Sequence, residues 1–286
     1  MTENAASYTE ELAYTTTDDG LLLEGVVVRP RGGVVQPLSF VWIHGNAARF
    51  YDYAYVAICR ALAGAGYLCV SGNTRGHDIA AFVWRGADGR PRAWRGPQDM
   101  PVGGGGAWER LEDAPLDVGA WVQLAANVAG GSVVVCGHSS GAQRVVLYQA
   151  ERQDARVKGL ALASADLQGF MPPGELEAAQ RLVAEGRGLE VVPAQPFAPF
   201  YRQSAASIVS RAAVVKRLAS AGIGAIRCPV LAVAGDGEPG GPPDLTARTF
   251  TGAARVDSRT IVNADHFYSG CESQVAAVLV EWAATL

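Results

Sequence analysis

The segment Val133-Val134-Val135-Cys136-Gly137-His138-Ser139-Ser140-Gly141-Ala142 places Gly-x-Ser-x-Gly between an apolar run and a stretch with helical spacing. A serine at such a strand-to-helix turn sits in a strained conformation, and its small neighbours leave its oxygen exposed at a helix N-terminus. Backbone N–H groups there can stabilise negative charge that develops on a substrate. Ser139 is therefore the candidate nucleophile. Any strand-to-helix loop may contain glycines, and the flanking strand and helix make this one specific.

Serine is a poor nucleophile at its free pKa and needs a general base. The chain has four histidines. His44 and His77 lie in loops where a histidine more often holds local structure, and His138 is the neighbour of Ser139. His266, in Asn263-Ala264-Asp265-His266-Phe267-Tyr268, follows the last apolar run, and the chain order Ser, acid, His holds only if it is the base. The acid that orients it is expected after Val230-Leu231-Ala232-Val233-Ala234, in Gly235-Asp236-Gly237-Glu238-Pro239. Glu238 is preferred and Asp236 is the alternative; Asp265 is read as shaping the histidine loop. In Phe40-Val41-Trp42-Ile43-His44-Gly45-Asn46-Ala47 a strand ends in a sharp turn whose N–H groups can face the nucleophile. Asn46 and Ser140 are the candidate oxyanion donors, with Ala47 as the alternative to Asn46.

These residues need a scaffold. Apolar runs at Leu21 to Val28, Leu38 to Ile43, Tyr67 to Ser71, Ser132 to Cys136, Val157 to Leu162, Pro229 to Ala234 and Ser258 to Val262 read as strands. Segments of helical spacing separate most of them. Nearly continuous apolar strands alternating with helices predict a parallel sheet covered on both faces. A Gly-rich excursion from Asn73 to about Gly106 carries Trp84 and Trp94, and Trp108 follows it. The stretch 167–226 breaks the rhythm with two helical segments joined by a Pro-rich piece, and reads as an insertion over one end of the sheet. The expected organisation is an α/β core, 1–166 and 227–286, with a helical lid, 167–226.

Composition narrows the classes. A net charge of −4, 49% hydrophobic residues and no Lys or Arg run disfavour disorder and a nucleic-acid partner. No apolar run is long enough to span a bilayer and no secretory signal is visible, so no membrane partner and a cytoplasmic location are expected. The five cysteines are scattered and form no CxxC pair, so neither zinc nor another cofactor is expected.

Ile43-His44-Gly45, Thr74-Arg75-Gly76-His77-Asp78, Gly137 to Gly141, Gly235 to Glu238 and Asp265-His266-Phe267 together resemble the α/β-hydrolase superfamily, in its order and over nearly the whole chain. Gly106 to Asp113 and Gly137 to Gln143 are more narrowly similar to a serine-hydrolase branch that includes siderophore-esterase-like proteins. The resemblance implies an α/β-hydrolase fold: a mostly parallel eight-stranded sheet with helices on both faces and a helical lid after strand 6. One departure is Glu238 where most members have Asp. Members that resemble the chain in the His-Gly turn but are dehalogenases or epoxide hydrolases place Asp at the elbow, where this chain has Ser139.

The expected activity is acyl transfer to water through a Ser139-His266-Glu238 triad and an acyl-enzyme. The expected substrate is a small molecule bearing an ester-type bond; ester, lactone, thioester, amide and C–C bonds stay open. Trp84, Trp108, Phe197, Phe200 and Tyr201 are candidate substrate contacts, implying an apolar or aromatic acyl group, although burying a lid against the core also uses such residues. The other readings are an acyltransferase or cyclase with the same triad, and a ligand-binding protein that keeps the fold without turnover.

Overall fold

The computed structural model describes residues 7–32, 36–169, 171–192, 202–238 and 241–286. One eight-stranded sheet organises the chain. Its strands are β1 (Tyr8–Thr16), β2 (Leu22–Pro30), β3 (Leu38–Ile43), β4 (Cys69–Gly72), β5 (Ser132–His138), β6 (Val157–Ala163), β7 (Val230–Gly235) and β8 (Val256–Ile261). They lie in the order β1-β2-β4-β3-β5-β6-β7-β8. The pairs β1–β2 and β2–β4 are antiparallel and the other five are parallel.

Successive side chains of a strand point to opposite faces, and in the central strands both faces are core. Val133 and Val135 of β5 pack with Val41, Leu160 and the helices α2 (Ala114–Ala129) and α3 (Gly141–Arg152). Val134 and Cys136 pack with Phe40, Trp42, Leu231 and the helices α1 (Tyr53–Gly64) and α7 (Glu272–Ala283) on the other face. The near-continuous apolar reading of these strands follows from that double burial. β1 escapes such a reading: its Thr9 to Ala13 stretch is largely exposed at the sheet edge, so no apolar pattern marks it.

Between β6 and β7 lie α4 (Glu175–Ala184) and α5 (Ala205–Arg217), the latter running into a π-helical turn at Leu218–Gly222. Both helices lie within the stretch 167–226, whose two helical segments the sequence predicts. They dock on the segment after the Gly-rich excursion: Ser204 N–H donates to Ala107 O (2.7 Å), Leu111 N–H to Ser210 Oγ (2.8 Å), and the Trp108 indole N–H to Leu189 O (3.0 Å). The excursion is more ordered than its composition suggests. It contains short ladders, Ala81–Val83 against Val102–Gly104 and Gly86–Ala87 against Arg90–Pro91. Its base is anchored by Arg75, whose guanidinium meets Asp117, Asp19 and Asp113. A five-residue helix α6 (Pro243–Ala247) precedes β8. No helix among the described residues is long and apolar enough to cross a membrane.

Candidate active site

The chain passes from β3 to β4 on one side and then crosses back to β5 on the other. Open α/β sheets form their binding crevice at such a reversal, beyond the carboxyl ends of the strands. The His44-Gly45-Asn46 turn leaves β3 there, and Ser139 leaves β5. Ser139 has φ 54°, in the left-handed region. That conformation is strained for a non-glycine residue and is held by neighbours: Ser139 N–H donates to Ala163 O (2.9 Å) and Asp166 N–H to Ser139 O (3.1 Å). Two glycines permit the approach of the turns. A Cβ on Gly141 would lie 2.6 Å from the carbonyl oxygens of Ile43 and His44, and one on Gly45 would lie 3.1 Å from Ser139 Cβ.

His266 stands on the loop after β8, with Nδ1 3.0 Å from Glu238 Oε2. Its side chain is about one-third exposed, whereas that of Glu238 is almost fully buried (34% and 6%). Since the carboxylate only accepts, the proton of this bond sits on Nδ1 and leaves Nε2 as the basic nitrogen. Glu238 Oε1 accepts from the Ser164 hydroxyl, and Ser164 Oγ is 2.7 Å from the Tyr268 hydroxyl. Burial pushes the Glu238 carboxyl upward, but the hydrogen bonds from His266 and Ser164 outweigh it and hold the group below the usual glutamate value. Asp236 is exposed and its side chain makes no hydrogen bond among the described residues. The structure thus brings Glu238, not Asp236, to His266. Asp265 Oδ1 accepts from Phe267 N–H and Ser269 N–H (3.0 Å each), turning the loop just after His266.

The Ser139 hydroxyl forms no hydrogen bond to His266 among the described residues. Such contacts are often loose without substrate and tighten in the complex. Their alignment is nonetheless constrained from behind. His138 Nε2 is 2.8 Å from the His266 carbonyl oxygen, and its Nδ1 is 2.8 Å from the Tyr55 hydroxyl. A carbonyl only accepts, so Nε2 carries the proton and Nδ1 accepts from Tyr55. The Tyr55 oxygen in turn takes Gly45 N–H at 3.4 Å. Burial pulls His138 down to about 4, which keeps the ring neutral in this network.

His44 is buried too, and burial together with the nearby Arg144 charge lowers it to about 3. It accepts Thr74 N–H at Nε2 (2.9 Å), while Nδ1–H donates to Gly45 O (2.7 Å). His77 donates through Nδ1 to Thr74 O (2.9 Å). Both rings hold loops.

Asn46 and Ala47 follow Gly45; Ala47 has φ 51°, and Asn46 Oδ1 accepts from Arg211 of α5 at 3.0 Å. Ser140 is buried as the first residue ahead of α3. Trp108 sits at the junction with the α4–α5 segment, whereas Trp84 is half exposed beside Leu22, whose N–H its carbonyl accepts. Phe197, Phe200 and Tyr201 lie outside the described residues.

Tyr55, Ser164 and Tyr268 carry no sequence motif that marks them as neighbours of this site. Tyr55 lies in α1 and Ser164 just past the end of β6, each without a motif of its own. Tyr268, two residues from His266, was the nearest to a signal.

Residues 40–279 match the alpha/beta hydrolase family. Among solved structures the chain is similar to Est1E from Butyrivibrio proteoclasticus with ferulic acid bound, at 17% identity over 95% of this chain and 98% of that one, with a TM-score of 0.60. It is also similar to a soluble variant of monoglyceride lipase from Saccharomyces cerevisiae (16% identity, 98% and 97% covered, TM-score 0.65). A third is a highly thermostable carboxyl esterase from Bacillus coagulans (13% identity, 96% and 98% covered, TM-score 0.67). At these identities the likeness is one of fold. None of the curated proteins compared with it matches the chain. With 240 consecutive residues of the 286 matched, from 40 to 279, the chain belongs to the alpha/beta hydrolase family.

Proposed function

We propose that the protein is a serine hydrolase that cleaves an ester-type bond of a small molecule through Ser139, His266 and Glu238. The observation that carries this reading is the His266–Glu238 hydrogen bond on a loop tied to His138, the residue before a Ser139 held in the left-handed conformation. On this reading Ser139 Oγ attacks the acyl carbon as its proton passes to His266 Nε2. Glu238 stabilises the imidazolium that forms. The N–H of Ser140, with that of Asn46 or Ala47, donates to the developing oxyanion. Collapse of the tetrahedral intermediate expels the alcohol, which takes the proton from His266, and leaves Ser139 acylated. Water activated by His266 then releases the acid.

The α4–α5 segment belongs to a lid spanning 167–226 in this reading. Trp108 supports an apolar or aromatic acyl group, because it stands where the core loop meets that segment. Est1E, a protein of the same fold, holds ferulic acid.

The test is mass spectrometry of the adduct with a fluorophosphonate, together with a panel of chromogenic acyl esters assayed with and without added alcohols and amines. Labelling at Ser139, lost in Ser139→Ala along with ester cleavage, is the expected result. Labelling elsewhere, or undiminished cleavage by Ser139→Ala, overturns the reading. Products formed preferentially with the added nucleophile identify a transferase.

A further inference from the structure

Beneath the candidate oxyanion hole lies an ion pair that the triad does not use. Arg144 projects from the first turn of α3, four residues after Ser140 and so on the same helix face. Its side chain and that of Glu109 are buried, at 0% and 2% exposure. The contact is a two-pronged fork: Nε donates to Glu109 Oε1 at 2.7 Å and Nη2 to Oε2 at 2.5 Å. The other terminal nitrogen, Nη1, reaches the His44 carbonyl oxygen and Ser140 Oγ, each at 3.2 Å.

We propose that the Glu109–Arg144 pair is a positioning device that sets the spacing and orientation of the two backbone donors of the oxyanion hole. The proposal rests on the hydrolase reading above and deepens it. The two atoms gripped by Nη1 belong to the two halves of the hole. His44 O lies on the peptide that leads into Gly45, Asn46 and Ala47; Ser140 follows the nucleophile and supplies the other N–H. The peptide between His44 and Gly45 is planar, and it is held at both edges. Arg144 takes its C=O, while its N–H, on Gly45, goes to the Tyr55 hydroxyl. With that plane fixed, the donors that follow it have little freedom to swing away from the Ser139 side.

The chemistry of the pair favours a geometric role. Burying two charges gains little net stability over well-packed apolar side chains, while removing one partner leaves an expensive orphan. A planar guanidinium, however, offers several donors at fixed angles, which an ammonium or an apolar side chain does not. Glu109 neutralises Arg144, so the pair acts through geometry and not as a net positive charge. Space for it is provided by Gly76, where a Cβ would lie 2.4 Å from the Glu109 carboxyl carbon.

The experiment compares wild type with Arg144→Lys, Ser140→Ala and the double variant Glu109→Met/Arg144→Met. It reads kcat and KM on a chromogenic short-chain ester, the rate of fluorophosphonate labelling of Ser139, and Tm. The double variant removes both charges of the pair together, and its Tm shows that it folds. Its kcat and labelling rate fall by about tenfold or more, with KM changed less than about threefold, since misplaced donors weaken the transition state more than the ground state. Arg144→Lys keeps the charge but loses the fork, and shows the same pattern. Ser140→Ala removes one grip and loses about threefold in kcat.

A folded double variant with the wild-type kcat and labelling rate overturns the proposal, as does full activity in Ser140→Ala and Arg144→Lys together. Wild-type protein that neither labels at Ser139 nor cleaves any ester overturns the hydrolase reading itself, and the proposal with it.

Discussion

His138 and His266 are joined by a hydrogen bond of 2.8 Å from the Nε2–H of the first to the main-chain carbonyl of the second. The residue that precedes Ser139 therefore holds the loop that presents His266. Through Tyr55, whose hydroxyl donates to His138 Nδ1 and accepts from Gly45 N–H, the same ring is tied to the β3 turn. Three loops from distant parts of the chain share one buried network, so a change at any member moves the others.

Tyr55→Phe removes only the shared hydroxyl and leaves Gly45 N–H and His138 Nδ1 without it. A buried polar group deprived of its partner costs about 1–3 kcal/mol, so the denaturant midpoint and Tm should both fall. On the proposed mechanism kcat drops severalfold while KM changes little. Urea unfolding alongside ester kinetics checks both, and an unchanged midpoint would remove Tyr55 from the network.

Glu238→Gln keeps the shape of the side chain but cannot stabilise imidazolium, and it presents an N–H where His266 needs an acceptor. In a triad such an exchange lowers kcat by roughly 10²–10⁴-fold. Asp236→Asn, at an exposed position, should stay within about twofold. Steady-state kinetics on one ester decides, and a severe loss in Asp236→Asn with a mild one in Glu238→Gln reverses the assignment of the acid.

Ser164→Ala takes away the donor to Glu238 Oε1 while His266 still bonds Oε2. The carboxylate keeps its partner but loses its second anchor, so kcat should fall by about three- to tenfold, with the native circular-dichroism spectrum retained. Activity equal to wild type would show that the His266 bond alone is enough to orient the acid.

Acid should destabilise the fold through two buried histidines. Burial holds His138 at about 4 and His44 at about 3, below the 6.5 of an unperturbed histidine. Between those values the unfolded chain binds more protons than the folded one, so stability falls as pH drops from 6.5 toward 4. Each ring contributes a slope of up to about 1.4 kcal/mol per pH unit. The depressed Glu238 acts in the same direction, but only as pH falls through and below the ordinary glutamate range. Urea midpoints measured from pH 7 to pH 4.5 should decline steadily, and His138→Gln should flatten the decline. A midpoint that is constant over that window would contradict the neutral buried state of both rings.

The ends of most core elements were legible because their cause is local. β3 occupies Leu38–Ile43 as its apolar run requires, and α5 starts at Ala205, where Ser204 caps it by accepting Ser207 N–H. β1 and the short ladders of the excursion were not legible. An exposed edge strand carries no apolar period, and two- or three-residue ladders are set by what the loop packs on rather than by their own residues. The elbow was readable for the opposite reason. Gly137 is dictated within the motif, since a Cβ there would lie 2.6 Å from Gly141 O, and Ser139 stands at a positive φ; Gly141 answers instead to the turn after β3, whose Ile43 and His44 carbonyl oxygens a Cβ would meet.

By itself, the sequence determined the strand-to-helix elbow at Ser139 and the parallel α/β core, since each rests on spacing and side-chain size over short stretches. The tertiary structure decided which carboxylate meets His266: Asp236 and Glu238 are two residues apart, and only the course of the loop after β7 points one inward. It likewise decided that Tyr55, Ser164 and the Glu109–Arg144 pair stand behind the site. Buried polar side chains must find partners wherever folding brings them, and those partners lie as many as 83 positions away for Tyr55 and His138 and 74 for Ser164 and Glu238. Separations of that length leave no periodic trace in a sequence.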